Sequence, residues 1–389
     1  MNKKDRIGQY RKCGTAREYY HAYMPQPLPP FPVLDMPKLY PLLDKANVVI
    51  GRLDGVGRLL PEPDLFLYFY VRKEAVLSSQ IEGTQSSLSD LLLYENDKVP
   101  GVPEHDVKEV SHYVAAMEYG LQRLSDDGFP LSLRLIREIH AILLQGGLGS
   151  YSQPGSFRRS QNWIGGTRPG NAKYVPPPSE EVMSLMGDLE KFWHDDRQHL
   201  PTLVKAALIH VQFETIHPFL DGNGRLGRLL ITFLLCIDGL LDKPLLYLSL
   251  FFKTHRQQYY DHLQSVRETG DWEAWVQFFL EGVIDTTNQA INVTQEILAL
   301  FKQDRTKIET LRQSAPSALQ VHHYLQQHCV TDIARVVKQC QLSPPTVTKA
   351  LSHLVDLGIA EEITGKGRNR TYVYRRYLEI LARGVGANQ

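Results

Sequence analysis

The sequence predicts an all-α fold: a helical core that carries one small β-hairpin flap, followed by a separate C-terminal domain. Three observations carry this reading. Apolar residues recur at helical spacing from Leu42 to Leu59, Leu65 to Leu93, Val107 to Leu124 and Ser132 to Gln145. Two further runs, Leu203 to Ile216 and Leu229 to Ile237, are apolar almost all round, as buried helices are. β-forming residues gather only in a short stretch between Gly155 and Val175, among glycines and prolines that would bound a hairpin.

A length of 389 residues allows two or three domains with ample core. Lys+Arg and Asp+Glu both number 43, so no global field draws the chain to nucleic acid or membrane, and partners have to be sought locally. Cys13, Cys236, Cys329 and Cys340 form no CxxC pair, which fits a reducing, cytoplasmic setting. The first residues lack an apolar signal region, and no stretch approaches about 18 uninterrupted apolar residues. The expectation is a soluble intracellular protein without membrane contact.

Taken in order, residues 1–40 read as irregular, with Pro25, Pro27, Pro29, Pro30 and Pro32 making an extended strap rather than a ligand for an SH3-type domain. In the helix from Leu65 to Leu93, Ser78 and Glu82 stand i, i+4 and share a face, and Gly83 can end or loosen the helix just after the carboxylate. Ser132 is a natural N-cap for a later helix. Gln161, Asn162, Trp163, Ile164 and Gly165 occupy the first arm of the hairpin, and an edge hairpin can hold an extended peptide by main-chain hydrogen bonds. His210 has no HExxH or His/Cys cluster beside it, so it reads as a core histidine and not as a zinc ligand. Phe251 to Leu263 and Asp271 to Val283 are two more amphipathic helices, and Ala290 to Arg312 is a helical connector.

Chemistry is concentrated between the two apolar helices, in His217-Pro218-Phe219-Leu220-Asp221-Gly222-Asn223-Gly224-Arg225-Leu226-Gly227-Arg228. Gly222, Asn223 and Gly224 permit positive φ and close backbone approach, so successive N–H groups can converge at the start of a helix, which makes an anion site. Arg225 and Arg228 share a face of that helix's first turn, where the dipole disfavours cations unless an anion is present. Two arginines at that end point to a polyphosphate. Asp221 is a hard oxygen ligand able to hold Mg²⁺ against the same phosphates. His217, with an unperturbed pKa near ~6.5, suits a base that takes a proton from a hydroxyl. Gly222, Gly224 and Gly227 formally match the dinucleotide fingerprint, but that requires a preceding strand, and here a helix precedes.

This stretch resembles, with no position departing, the signature of the Fic family, His-x-Phe-x-(Asp/Glu)-Gly-Asn-Gly-Arg-x-x-Arg. The resemblance implies a mostly helical core that moves AMP from ATP to a Ser, Thr or Tyr hydroxyl of a protein, sometimes of itself, and releases pyrophosphate. It implies His217 as base, Asp221 on Mg²⁺, the Gly222 to Gly224 backbone on phosphate, and Arg225 and Arg228 on the outer phosphates, with Leu226 and Gly227 in the same binding segment. Ser78, Glu82 and Gly83 resemble the (Ser/Thr)-x-x-x-Glu-(Gly/Asn) inhibitory motif of Fic proteins with an N-terminal inhibitory helix. In that reading Glu82 pairs with Arg228 and competes with the γ-phosphate for its guanidinium. Gln161 to Gly165 resembles the family's target-docking flap. Two other functions stay open: a DNA-binding regulator whose Fic core senses nucleotide, and transfer of another nucleotide or phosphodiester group.

Beyond Arg312 the composition changes. The helical pieces from Thr331 to Leu357 and a hairpin from Ala360 to Tyr374 resemble a winged helix. Residues 315–389 hold nine Lys and Arg against five Asp and Glu, and Lys366, Arg368 and Arg370 at the hairpin tip suit phosphate contacts. The front of the recognition helix, Pro344-Pro345-Thr346-Val347-Thr348, has few base-reading side chains. Protein contacts or homodimerisation are therefore favoured over DNA. The expected organisation is an N-terminal region with the inhibitory helix (1–105), a Fic catalytic core (106–289), a connector (290–314) and a winged helix-turn-helix domain (315–389).

Overall fold

The computed structural model describes all residues except 1–2, 16–17, 59–62, 96–100, 126–127, 146–152, 196, 198, 242, 366–369 and 384–389. The chain opens on an antiparallel hairpin, β1 (Gln9–Thr15) and β2 (Glu18–Met24), with Gln9 opposite Met24 and Thr15 opposite Glu18. This departs from the irregular start expected for residues 1–40. The tyrosines of β2 supply the reason: Tyr23 is buried, its ring lies near Tyr174, and its N–H donates to Val175 O at 2.9 Å. The strap that follows is fixed to the core by Arg6, which pairs with Glu273 at 2.7 Å and donates to Pro32 O and Val33 O.

The helical body then runs through α1 (Met36–Arg58), α2 (Pro63–Glu82), α3 (Leu88–Glu95), α4 (Glu104–Ser125), α5 (Leu133–Leu143), α6 (Val182–Trp193), α7 (Thr202–Ile216), α8 (Asn223–Ile237), α9 (Ser249–Thr254), α10 (Arg256–Thr269) and α11 (Trp272–Glu309). Every residue of α7 from Leu203 to Ile216 is buried, as its all-round apolar sequence requires. Helices α6, α8, α10 and α11 pack around α7, while α2 lies against α4, α8 and α9. Ser132 caps α5 as expected, accepting from the Leu135 N–H.

Three segments differ from the expectation. The run from Phe251 to Leu263 is broken at His255 into α9 and α10. The pieces on either side of 284–289 form one continuous helix, α11, in which Gly282 leaves room for the Phe251 ring and Thr286 and Thr294 return their hydroxyls to the carbonyls of Gly282 and Ala290. The flap is reduced to a single bridge between Ile164 and Tyr174, because Gly165 and Gly166 at φ 69° and 78° and the 3-10 turn Pro169–Asn171 take the chain out of extended conformation at once.

The C-terminal residues form α12 (Ala315–His328), β3 (Val330–Asp332), α13 (Ile333–Cys340), α14 (Pro344–Asp356), β4 (Glu361–Glu362), β5 (Thr371–Val373) and α15 (Arg375–Ala382). The strands make an antiparallel sheet in the order β3-β5-β4. Lys366 and Arg368 lie outside the described residues; Arg370 immediately precedes β5. These residues are docked on the helical body. The Tyr377 ring packs 5.4 Å from Phe69 of α2 and 4.9 Å from Phe301 of α11, and Tyr374 donates its hydroxyl proton to the buried Asp304 at 2.6 Å.

The core is anchored on Trp275 of α11, which is fully buried, donates from Nε1 to Ala207 O at 2.9 Å and lies among His210, Phe252, Tyr259 and Phe278. Trp275→Ala removes the packing and the indole hydrogen bond together, so it is expected to lower the unfolding free energy by ~3–5 kcal/mol. Urea denaturation of the two proteins measures it; a loss below about 1 kcal/mol, the size of an average substitution, would show that this cluster does not organise the core.

Candidate functional site

The site is built on the turn between α7 and α8. Helix α7 stops because His217 adopts a left-handed backbone, φ 49° and ψ 60°, while its N–H still reaches Phe213 O at 2.9 Å. Helix α8 starts from Gly222, also left-handed at φ 76°, with no side chain capping it. Its first-turn N–H groups are thereby left to an external acceptor, at the positive end of the helix dipole.

Side chains from four places hold the turn in shape. Asn223 accepts from Phe219 N–H and donates to Phe219 O, both at 2.9 Å, which closes the loop on itself. Asn162 of the flap donates to His217 O at 3.2 Å and Phe219 O at 2.9 Å. Arg158, almost fully buried, makes no ion pair among the described residues; its guanidinium donates to His217 O at 2.9 Å, Ile216 O at 3.3 Å, Pro177 O at 2.6 Å and Ser160 O at 3.3 Å. It thus ties the flap to the carbonyl end of α7, where a cation is favoured. From α5, His140 stacks on Phe219 with ring centres 3.7 Å apart. Its Nδ1 accepts from Gly155 N–H, so Nε2 carries the proton and donates to Asp221 O at 3.0 Å. Burial pushes this imidazole down to about 4, which keeps it neutral in that role.

His217 has 19% of its side chain exposed, and its Nδ1 is buried without a hydrogen-bond partner. Burial, with Arg267 and Arg158 nearby, pushes its pKa down to about 4, so near neutral pH the ring is unprotonated and competent to accept a proton. Asp221 points half-exposed beside the start of α8; its Oδ1 accepts from Gly222 N–H at 2.6 Å and lies 3.8 Å from Arg225. Among the described residues no group of three or more His, Cys, Asp or Glu side chains could hold a metal ion. A lone carboxylate beside a phosphate site does suit Mg²⁺, which retains waters and takes its remaining ligands from substrate phosphates.

Arg228 is buried with 2% of its side chain exposed and is fully engaged by α2. Its Nε donates to Ser78 Oγ at 2.8 Å, and Nη2 donates to Ser78 O at 2.9 Å and to Glu82 Oε1 at 2.7 Å. Burial raises the Glu82 pKa, but Arg228, with help from Arg225 and His217, outweighs it and holds the carboxyl below its ordinary value. A Cβ at Gly224 would overlap Glu82 Oε1, so this carboxylate sits over the first turn of α8, in the place prepared for an anion. Gly83 ends α2 at φ 113°. The structure therefore brings Ser78, Glu82 and Gly83 to the motif from a point nearly 150 residues earlier in the chain.

Not every expected residue takes the expected role. Arg225 is engaged by Glu109 at 3.1 Å. Leu226 is buried in the core and its N–H already donates to Gly222 O at 3.0 Å; Gly227, one residue further into α8, faces inward, where a Cβ would overlap Glu214 Oε1. Neither can present a free donor, and the Gly222 N–H is likewise taken by Asp221 Oδ1, which leaves the N–H groups of Asn223 and Gly224 with the guanidiniums of Arg225 and Arg228 at the helix start. In the flap, Gln161 and Asn162 serve the interior, Gln161 donating to Pro176 O at 3.0 Å, whereas Trp163 and Ile164 are 39% and 38% exposed beside Gly165. Sequence reasoning missed His140, Arg158 and Glu214, because what they contact is backbone or the base itself, brought close only by folding.

Residues 40–122 match the Fic/DOC family N-terminal model and residues 130–235 the Fic/DOC family model. Proteins named protein adenylyltransferase Fic from Aedes aegypti and Culex quinquefasciatus are 33% and 31% identical over 56% and 67% of this chain, which covers 41% and 49% of their lengths. The chain thus spans about half or less of the length of these curated relatives. Among solved structures, a Fic family protein from Desulfovibrio desulfuricans G20 shares the fold with a TM-score of 0.58 at 20% identity, over 90% of this chain and 98% of its own. Fic-1 from C. elegans does so with a TM-score of 0.52 at 23% identity, over 67% and 75%. By its two matched regions, its fold and the unbroken signature at the α7–α8 turn, the chain belongs to the Fic/DOC family.

Proposed function

We propose that the protein is an adenylyltransferase that moves AMP from ATP to a Ser, Thr or Tyr hydroxyl of a protein. The observation that carries this reading is the spacing of opposed chemistries along one rigid turn: a neutral imidazole at the end of α7 and, five residues on, an uncapped helix start flanked by two guanidiniums. His217 takes the proton of the acceptor hydroxyl. The hydroxyl oxygen bonds to the α-phosphorus, the bond from that phosphorus to the bridging oxygen breaks, and pyrophosphate leaves. The N–H groups of Asn223 and Gly224 and the guanidiniums of Arg225 and Arg228 steady the phosphates. Mg²⁺, which Asp221 would hold, adds charge neutralisation on the phosphates when bound. The exposed Trp163 and Ile164 and the backbone of the flap present an edge for the target segment.

The ion pair of Arg228 with Glu82 supports an autoinhibited resting state. With Glu82 in place, the γ-phosphate cannot take the Arg228 guanidinium, so ATP would bind with its outer phosphates out of line for displacement, and rate would suffer more than affinity. Self-modification belongs to the same reading. We read the C-terminal residues as a winged helix used for protein contacts or homodimerisation rather than for DNA. In support, the hydroxyls at the front of α14 are spent internally: Ser343 caps the helix and meets Thr346 Oγ1 at 2.8 Å, and Thr348 donates to Pro344 O at 2.8 Å. A cytoplasmic location rests on four unpaired cysteines, and no helix among the described residues is long and apolar enough to cross a membrane.

His217→Ala should abolish AMP transfer from labelled ATP, a loss of at least the ~10²- to 10⁴-fold that a general base contributes, while Mg²⁺-ATP binding by calorimetry stays within about twofold. Undiminished transfer would remove the mechanism. Glu82→Gly should raise transfer, visible first as self-modification, and Arg228→Ala introduced into that variant should silence it again. A Glu82→Gly protein no faster than wild type with any acceptor would reduce the Glu82–Arg228 pair to a structural contact.

A further inference from the structure

Behind the base lies a second carboxylate that the reaction as written does not use. Glu214 is one turn before His217 on α7 and only 6% exposed. Its Oε2 is 3.9 Å from His217 Nδ1, while its Oε1 is buried without a partner, as is His217 Nδ1. His217 Nδ1, without a partner, faces Oε2 of this carboxylate across 3.9 Å, a gap that one short movement resolves, since closing by about 1 Å makes a charge-assisted N–H···O bond. The space is kept for this carboxylate: a Cβ at Gly227 would overlap Oε1. Other groups facing the pair are the backbone carbonyl of Glu214 itself, which also acts on the His217 ring, Arg228 of α8 with Glu82 of α2 behind it, Arg267 and Tyr259 of α10, and Arg158 of the flap.

We propose that Glu214 is a positioning residue for the base: its carboxylate accepts the Nδ1 proton of His217 and so leaves Nε2 as the nitrogen that takes the proton from the acceptor hydroxyl. This rests on the reading of His217 as base. The balance is simple. Nδ1 keeps its proton throughout, Nε2 gains the hydroxyl proton, and the positive charge that develops on the ring is met by Glu214 across the Nδ1–H bond. The carboxylate has to be ionised for this. Burial, with Glu82 adding to it and Arg228 opposing it, pushes Glu214 up to about 7, so activity should fall on the acid side above the value near 4 of His217 itself. A purely structural carboxylate would impose no such limb.

The test uses the full chain carrying Glu82→Gly, to make transfer measurable, with and without Glu214→Gln. The isosteric Glu214→Gln change should lower kcat on the order of tenfold to a hundredfold, less than the ~10²- to 10⁴-fold due to the base, with KM for ATP unchanged and the acid limb moved to lower pH. An unaltered pH profile would overturn the proposal even if the rate fell. A second measurement needs no turnover. The ring-nitrogen chemical shifts of His217 in the nucleotide-free protein should report the Nδ1–H tautomer, and Glu214→Leu should lose that preference. An Nε2–H tautomer in the unsubstituted protein would overturn the proposal whatever the fate of the transferase reading, because the tautomer is independent of any substrate.

Discussion

The guanidinium of Arg228 is the constraint around which the site is arranged. A permanent cation with 2% exposure has left water and must be met by an anion and by acceptors for its N–H groups. Helix α2 supplies both, through Ser78 Oγ, Ser78 O and Glu82 Oε1. The motif's glycines follow from the same demand. Gly224 is small because the Glu82 carboxylate lies on it, and Gly227 because Glu214 does. A side chain at either would push out a carboxylate that helps neutralise the two arginines of α8. In the structure the occupant of the anion position is the Glu82 carboxylate, in a charge-assisted bond with the guanidinium.

A second feature is how completely the α7–α8 turn is held from outside. The carbonyls of Ile216, His217, Phe219 and Asp221 are all taken by side chains, from Arg158, Asn162, Asn223 and His140. A loop with its backbone acceptors satisfied by rigid neighbours has little freedom to relax. The imidazole and the first turn of α8 therefore stay at a fixed separation without a substrate to order them, and that is the preorganisation a transfer reaction needs. The same contacts tie the flap to the base, since Arg158 and Asn162 belong to the segment that carries Trp163 and Ile164.

What was legible in the sequence was what local chemistry determines. The run from His217 to Arg228 could be read because glycines, a carboxylate and two arginines between apolar helices have no use in a core. The pairing of Ser78 and Glu82 on one face followed from helical spacing alone. Its partner, Arg228, came from resemblance, since nothing local joins residues so far apart. That the flap pairs through a single bridge is not legible in the sequence, because β propensity cannot foresee that Gly165, Gly166 and Pro169 break pairing at once. The hairpin at Gln9–Met24 was hidden by its charged outer strand, and its stability comes from Tyr23 docking on Val175 and Tyr174. Glu214 was passed over inside an otherwise apolar run. A carboxylate in such a run, one turn before a candidate base, is the signal that could have found it.

The C-terminal residues also have a closer relation to the site than their composition suggested. Composition separated them after Arg312, yet α11 runs unbroken from Trp272 to Glu309 and α15 returns to lie on α2. The contact is aromatic, Tyr377 against Phe69, with Tyr377 buried to 1%. Phe69 and Glu82 stand thirteen residues apart on one helix, about 20 Å at 1.5 Å per residue. The helix that carries Glu82 is held along its length by α4, α8 and α9, with Tyr377 against its first half and Arg228 at its end, so the C-terminal residues and the anion site rest on one element.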